Sequence, residues 1–150
     1  MQRRVVRVDG DFVCSAWQSF YNFKAWMENQ DWEDKELDKD LLVPGNKMYS
    51  PETCMFVPRS ISRMVRPSAK PTKMYGLYCS RKKKIRFNAF ISLGGQDKRL
   101  GEFDTAVAAR AVQGKAKADY FREVADLQTR TLRDALYRHA ELLEKPQVIA

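Results

Sequence analysis

Residues 75–105 read YGLYCSRKKKIRFNAFISLGGQDKRLGEFDT, and two turn signals divide them. The lysine-rich run at 82–84 and the Gly94-Gly95-Gln96-Asp97 segment each interrupt alternating apolar and polar residues, the pattern of half-buried strands. The spacing predicts strands over 74–81, 84–93 and 98–103. Asp104 or Thr105 is then placed to cap a helix running to about Leu127, with Val107, Ala111, Gly114, Ala118, Phe121 and Ala125 along one face. The small residues on that face allow the helix to lie close to a sheet.

Strand alternation sorts the three strands into two faces. Phe87, Ala89 and Ile91, with Leu77, Cys79 and Leu100, are expected to meet the helix. That leaves Tyr78, Ser80, Arg86, Asn88, Phe90 and Arg99 outward, fringed by Arg81, Lys82, Lys83 and Lys84. Arginine and asparagine can hydrogen-bond base edges in a major groove, and lysines can neutralise phosphates. A last helix over 130–144 carries Leu132, Ala135, Leu136, His139, Ala140 and Leu143 on one side. That stripe must cover either this chain's own core or a matching helix of a second copy, so a homodimer through the C-terminal helix is one expectation.

Charge location narrows the partner. The net charge is +8, yet residues 1–66 hold ten Lys/Arg against ten Asp/Glu, residues 67–102 nine against two, and residues 103–150 eight against seven. Nearly all the excess therefore sits in a quarter of the chain, where it projects a local positive field toward a polyanion. Double-stranded DNA is the expected partner. There is no long apolar run for a membrane span and no signal-like start, so the expected location is the cytoplasm. Cys14, Cys54 and Cys79 are odd in number, widely spaced and without a CxxC pair, which fits reduced structural thiols and no cofactor.

Upstream, residues 3–13 read as two short extended pieces around Asp9-Gly10. A helix is expected over 15–29 with Trp17, Phe20, Phe23 and Met27 as its apolar stripe, followed by a solvated acidic loop, DWEDKELDKD, at 31–40. Ser50-Pro51-Glu52 can open a short helical turn, with Cys54, Phe56 and Val57 anchoring it. Residues 67–73, PSAKPTK, break regular structure twice and read as a basic linker. The resulting division is 1–66, a linker at 67–73, 74–127, and a C-terminal helix in 128–150, an α+β chain.

The signatures Tyr75-Gly76-Leu77, Arg86-Phe87-Asn88-Ala89 and Leu100-Gly101-Glu102-Phe103-Asp104-Thr105 resemble those of AP2-type DNA-binding domains. The resemblance implies a three-stranded antiparallel sheet packed on a helix and laid in the major groove. It departs from the family at Ser80, where a first-strand arginine is expected, and at Arg99, where the third strand has tryptophan, so the base code is this chain's own. FVCSAWQSFYNFKAWMENQDW and LDKDLLVPGNKMYSPETCMFVP, at 12–32 and 37–58, resemble the middle and end of phage-type HNH homing endonucleases that carry an appended AP2 domain.

HNH chemistry needs a histidine base to activate water and a divalent metal to stabilise the phosphoryl charge. The single histidine, His139, lies more than 80 residues beyond that motif; Asp38, Asp40 and Asn46 remain as candidate metal ligands without a base beside them. The expectation is a degenerate HNH-like part with no catalytic residues, kept for binding. A protein that occupies a DNA site without cutting it can block a promoter, so transcriptional repression in a phage or phage-associated element is the leading function. The alternatives are an active metal-dependent homing or nicking endonuclease, and an interaction module that turns the same basic face to an acidic protein.

Overall fold

In the computed structural model the strands that flank the two turn signals of the basic region pair antiparallel. The structure describes residues 6–8, 10–66, 78–81, 84–93 and 96–145, with the backbone alone described at 6–8, 78–81, 84 and 85. The chain is α+β and falls into two compact units, Met1–Arg66 and Pro67–Ala150.

In the second unit β6 (Tyr78–Arg81), β7 (Lys84–Leu93) and β8 (Gln96–Phe103) form an antiparallel sheet in that order. The third strand begins two residues earlier than expected, because Leu93 pairs with Gln96 across a two-residue connection. Residues 74–77 of the expected first strand lie outside the described residues. A bulge interrupts the β7–β8 ladder: Ala89 pairs with Gly101 and Phe90 with Arg99, leaving Leu100 as the extra residue. Gly101 adopts φ +146° there, a conformation costly for any residue with a Cβ, and an added Cβ would stand 3.2 Å from the Phe103 ring. Gln113 spans from the helix to this point, its Nε2 donating to the Phe90 carbonyl at 2.6 Å.

Thr105 caps α3 (Ala106–Ala125), its Oγ1 accepting from the Ala108 N–H at 3.1 Å. The helix lies against β7 and β8, and α4 (Arg130–Glu144) packs on α3. Being covered on two sides, α3 has no single apolar stripe. Ala109, Ala118, Phe121 and Ala125 are buried, while Val107 and Ala111 of the expected face are exposed. At Gly114 the two helices leave no room for a side chain: a Cβ there would meet the Leu143 carbonyl oxygen at 2.6 Å. Leu132, Ala135, Leu136 and Ala140 of α4 are all buried within the unit. The stripe that suggested a two-fold contact is thus already covered by this chain's own core.

The first unit opens with β1 (Val6–Val8) and β2 (Asp11–Val13), antiparallel around Gly10 at φ +89°. Strand β2 also pairs in parallel with β4 (Met48–Tyr49). The expected single helix over 15–29 is instead a 3₁₀ turn, Ala16–Gln18, and α1 (Phe20–Met27), separated by an extended Ser19. That break shifts the helical phase. Trp17, Phe23 and Trp26 cluster with Phe56, with ring centroids 4.6–6.2 Å apart, while Phe20 is 74% exposed.

The acidic run is likewise not all loop. Lys35–Asp38 forms β3, antiparallel to β5 (Met55–Pro58), because pairing satisfies its backbone and draws Asp38 inside. A turn follows Ser50, whose carbonyl accepts from the N–H groups of Thr53 and Cys54. After β5 comes α2 (Arg59–Val65), which the sequence patterns did not suggest. Leu41, Cys54, Val57 and Ile61 complete this small core.

Candidate nucleic-acid interface

Register decides which residues share a sheet face, since cross-strand partners point the same way and a one-residue slip reverses a whole strand. Arg81 pairs with Lys84, two residues of sequence intervening, so Tyr78 stands opposite Phe87 and Ser80 opposite Ile85. Positions 78 and 80 therefore belong to the face of Phe87, where Ala89 and Ile91 meet α3, and not to the outward face expected for them. The outward positions of β6 are 79 and 81, opposite Arg86 and Lys84. A three-residue turn would have produced the expected arrangement.

On β7 and β8 the outward face is well defined. Asn88 faces Glu102 across the ladder, and Phe90 faces Arg99. Arg99 Nη2 donates to Asn88 Oδ1 at 2.6 Å and to Glu102 Oε2 at 3.3 Å. Arg86 reaches Asp104 from Nη1 at 2.8 Å and lies 3.8 Å from Glu102 Oε1 through Nε. Glu102 thus sits between two arginines, each also held by a second partner. Asn88 is only 8% exposed beneath this network, whereas Arg99 keeps 56% of its side chain in solvent and Arg86 33%.

Of the expected contact residues, Arg86, Asn88 and Arg99 come together. Lys82 and Lys83 lie outside the described residues, and Arg81 and Lys84 are placed by backbone register alone. Glu102 and Asp104 are additions. Strict alternation puts residues 99 and 102 on opposite faces; the bulge at Leu100 brings them to one face, and the glycine after it is the signal that could have announced it.

Chemically, the constellation offers two planar guanidinium forks with restricted orientation beside an amide. Arginine forks match the paired acceptors of guanine. The two carboxylates cancel the arginines' net charge, so the face is suited to orientation-dependent contact more than to bulk phosphate attraction.

The second group of candidates lies in the first unit, and there the geometry does not suit a divalent ion. Asp38 Oδ1 accepts from the N–H groups of Asp40 and Leu41, both at 2.9 Å, and its Oδ2 accepts from Ser62 Oγ at 3.2 Å. Asn46 braces its own loop, donating to the carbonyls of Lys39 and Met48 and accepting from the Met48 N–H. Lys39 occupies the centre: its ammonium lies 2.8 Å from Asp40, 3.2 Å from Asp11 and 3.0 Å from the Asn46 carbonyl. Burial works against that charge, but hydrogen bonds and attraction from Asp40 and Asp11 outweigh it and raise the pKa, so the ammonium persists at neutral pH. Burial also pushes the Cys54 thiol up, which keeps it protonated. Among the described residues no group of three His, Cys, Asp or Glu side chains is placed to hold a metal. Nor is any helix among them long and apolar enough to cross a membrane.

Comparison with protein-family models, with curated proteins and with solved structures finds no match to this chain.

Proposed function

We propose that this chain is a site-specific duplex-DNA-binding protein that does not cut, and that it acts as a transcriptional repressor on DNA in the cytoplasm. The observation that carries this reading is the outward face of the three-stranded sheet, where Glu102 and Asn88 orient Arg99, and Glu102 and Asp104 flank Arg86. A strand ribbon of this width enters the major groove, and two oriented forks beside an amide can read base edges there. The lysine-rich hairpin connection supplies charge for the backbone on either side of the read bases.

Descent from an HNH homing endonuclease with an AP2-type domain belongs to the same proposal, carried by the sequence signatures. The Lys39 arrangement supports loss of cleavage. An ammonium between Asp11 and Asp40 neutralises the carboxylates that a catalytic cation would need.

Purified protein incubated with fragmented phage or host DNA, followed by mapping of the retained fragments, tests binding and site location together. Enrichment of promoter-containing fragments, with affinity falling steeply as salt rises (a slope of about −0.9 per phosphate neutralised), is expected. A salt-independent signal, or none, would refute DNA binding. Cuts that require Mg²⁺ or Mn²⁺ and vanish in Asp40→Ala would refute the non-cutting part.

A further inference from the structure

The first unit has no net charge when its residues are counted, but its surface is not uniform. Helix α2 buries Ile61 and Ser62, and the Ser62–Asp38 hydrogen bond fixes which side of the helix turns inward. Arg59 and Arg63 stand exposed one turn apart on the other side, and exposed Arg66 follows the last turn, its N–H still donating to the Ser62 carbonyl at 3.3 Å. One carboxylate shows that the ends of this row share a side. Arg59 Nε lies 3.0 Å from Glu36 Oε1 and Arg66 Nη2 lies 3.3 Å from Glu36 Oε2. Arg63 has no carboxylate partner among the described residues.

Three arginines therefore share a row about 10 Å long, seven steps of about 1.5 Å, with one carboxylate that pairs with only two of them. Asp38, the acid that touches α2, is engaged by Ser62, and Asp40 and Asp11 of the same unit pair with Lys39. Exposed ion pairs contribute little to stability, so folding alone is a thin reason for this row. Guanidinium forks match phosphate oxygens in geometry and charge.

The geometry points to a second DNA contact, in which Arg59, Arg63 and Arg66 bind neighbouring backbone phosphates and Glu36 holds two of them until phosphate displaces it. This inference rests on the proposed DNA-binding function. The contact reads no bases, so it adds affinity and footprint without changing sequence preference.

The test uses the full-length chain, a fluorescent duplex carrying an enriched site, a scrambled duplex, and a salt series. Arg63→Ala is expected to reduce the magnitude of the salt slope by about 0.9, and Arg59→Ala/Arg63→Ala/Arg66→Ala by as much as about 2.7, with the ratio of specific to scrambled binding unchanged. Glu36→Gln frees two arginines and is expected to tighten binding at low salt by up to about fivefold. That gain is the reverse of what losing a merely structural bridge would do, and circular dichroism melts confirm that each variant folds. If the wild type binds DNA but the arginine variants keep its slope, or Glu36→Gln fails to tighten binding, the second contact is wrong and the sheet remains as the DNA-binding face. Wild-type binding to polyglutamate but not to duplex DNA would overturn the DNA reading as well and indicate an acidic protein partner.

Discussion

Replacing Glu102 by glutamine probes the sheet face at its centre, because the carboxylate lies 3.3 Å from Arg99 and 3.8 Å from Arg86. At an effective dielectric of about 20, each raw attraction is on the order of 4 kcal/mol. All three side chains are partly solvated, however, and exposed pairs retain only about 0.2–1 kcal/mol after desolvation and entropy. Arg99 also keeps Asn88, and Arg86 keeps Asp104. Glu102→Gln is therefore expected to cost the fold less than about 1 kcal/mol.

On DNA the same change has two consequences of opposite sign. Removing one of two negative charges beside two arginines raises non-specific affinity and steepens the salt slope by up to about 0.9. Loosening the forks removes roughly 1 kcal/mol of the about 1–3 kcal/mol that a bidentate arginine contributes to base discrimination, about a fivefold loss. Anisotropy titrations of the enriched site and its single-base variants, at about 50 mM and about 200 mM salt, separate the two effects. Parallel weakening of specific and non-specific binding would refute the orienting role. So would unchanged discrimination.

Three further outcomes concern the fold. Leu136→Ala, at a fully buried position of α4, should destabilise the second unit by about 2–5 kcal/mol in urea denaturation; Leu136→Asp should unfold it, and a folded monomer released from a dimer would contradict the packing. Gly114→Ala should lower the melting temperature in spite of alanine's better helix propensity, since overpacking against the Leu143 carbonyl typically costs about 1–3 kcal/mol. Glu144 is held below the usual glutamate range by hydrogen bonds from Arg122 at 3.0 and 2.6 Å. Its folded pKa lies beneath its unfolded one, so the contribution is complete above about pH 4.3 and disappears as pH falls through the folded value. Thermal melts of wild type and Glu144→Gln should therefore differ at neutral pH and converge in acid.

Local chemistry was legible wherever one element decided its own fate. The pairing of β1 with β2 around Gly10, the antiparallel pairing of β6, β7 and β8, the Thr105 cap and the terminal helix all follow from short-range rules, and each lies close to its expected place. What escaped depends on facts between elements. Whether β6 presents positions 78 and 80 or 79 and 81 depends on a turn of two or three residues, which alternation within one strand cannot reveal. Arg99 was recognisable as a contact residue but Glu102 was not, because only the bulge puts both on one face. The break at Ser19 exchanged Phe20 for Trp26 in the aromatic cluster, and α3 lost its expected stripe because it is covered from two sides. The arginines of α2 were hidden by a charge count that averaged them against acids bound elsewhere.

The Leu100 bulge also bears on how such a protein diversifies. In an unbroken ladder, a new target requires substitution of the residues that meet the bases. Here, deleting Leu100 would leave Arg99 and Glu102 two residues apart in a regular ladder, so both would stay on the outward face and the helical layer would be untouched. A lineage carrying this sheet could therefore lose the extra residue without exchanging the groups its outer face presents, and a change of target would still come from substituting those groups.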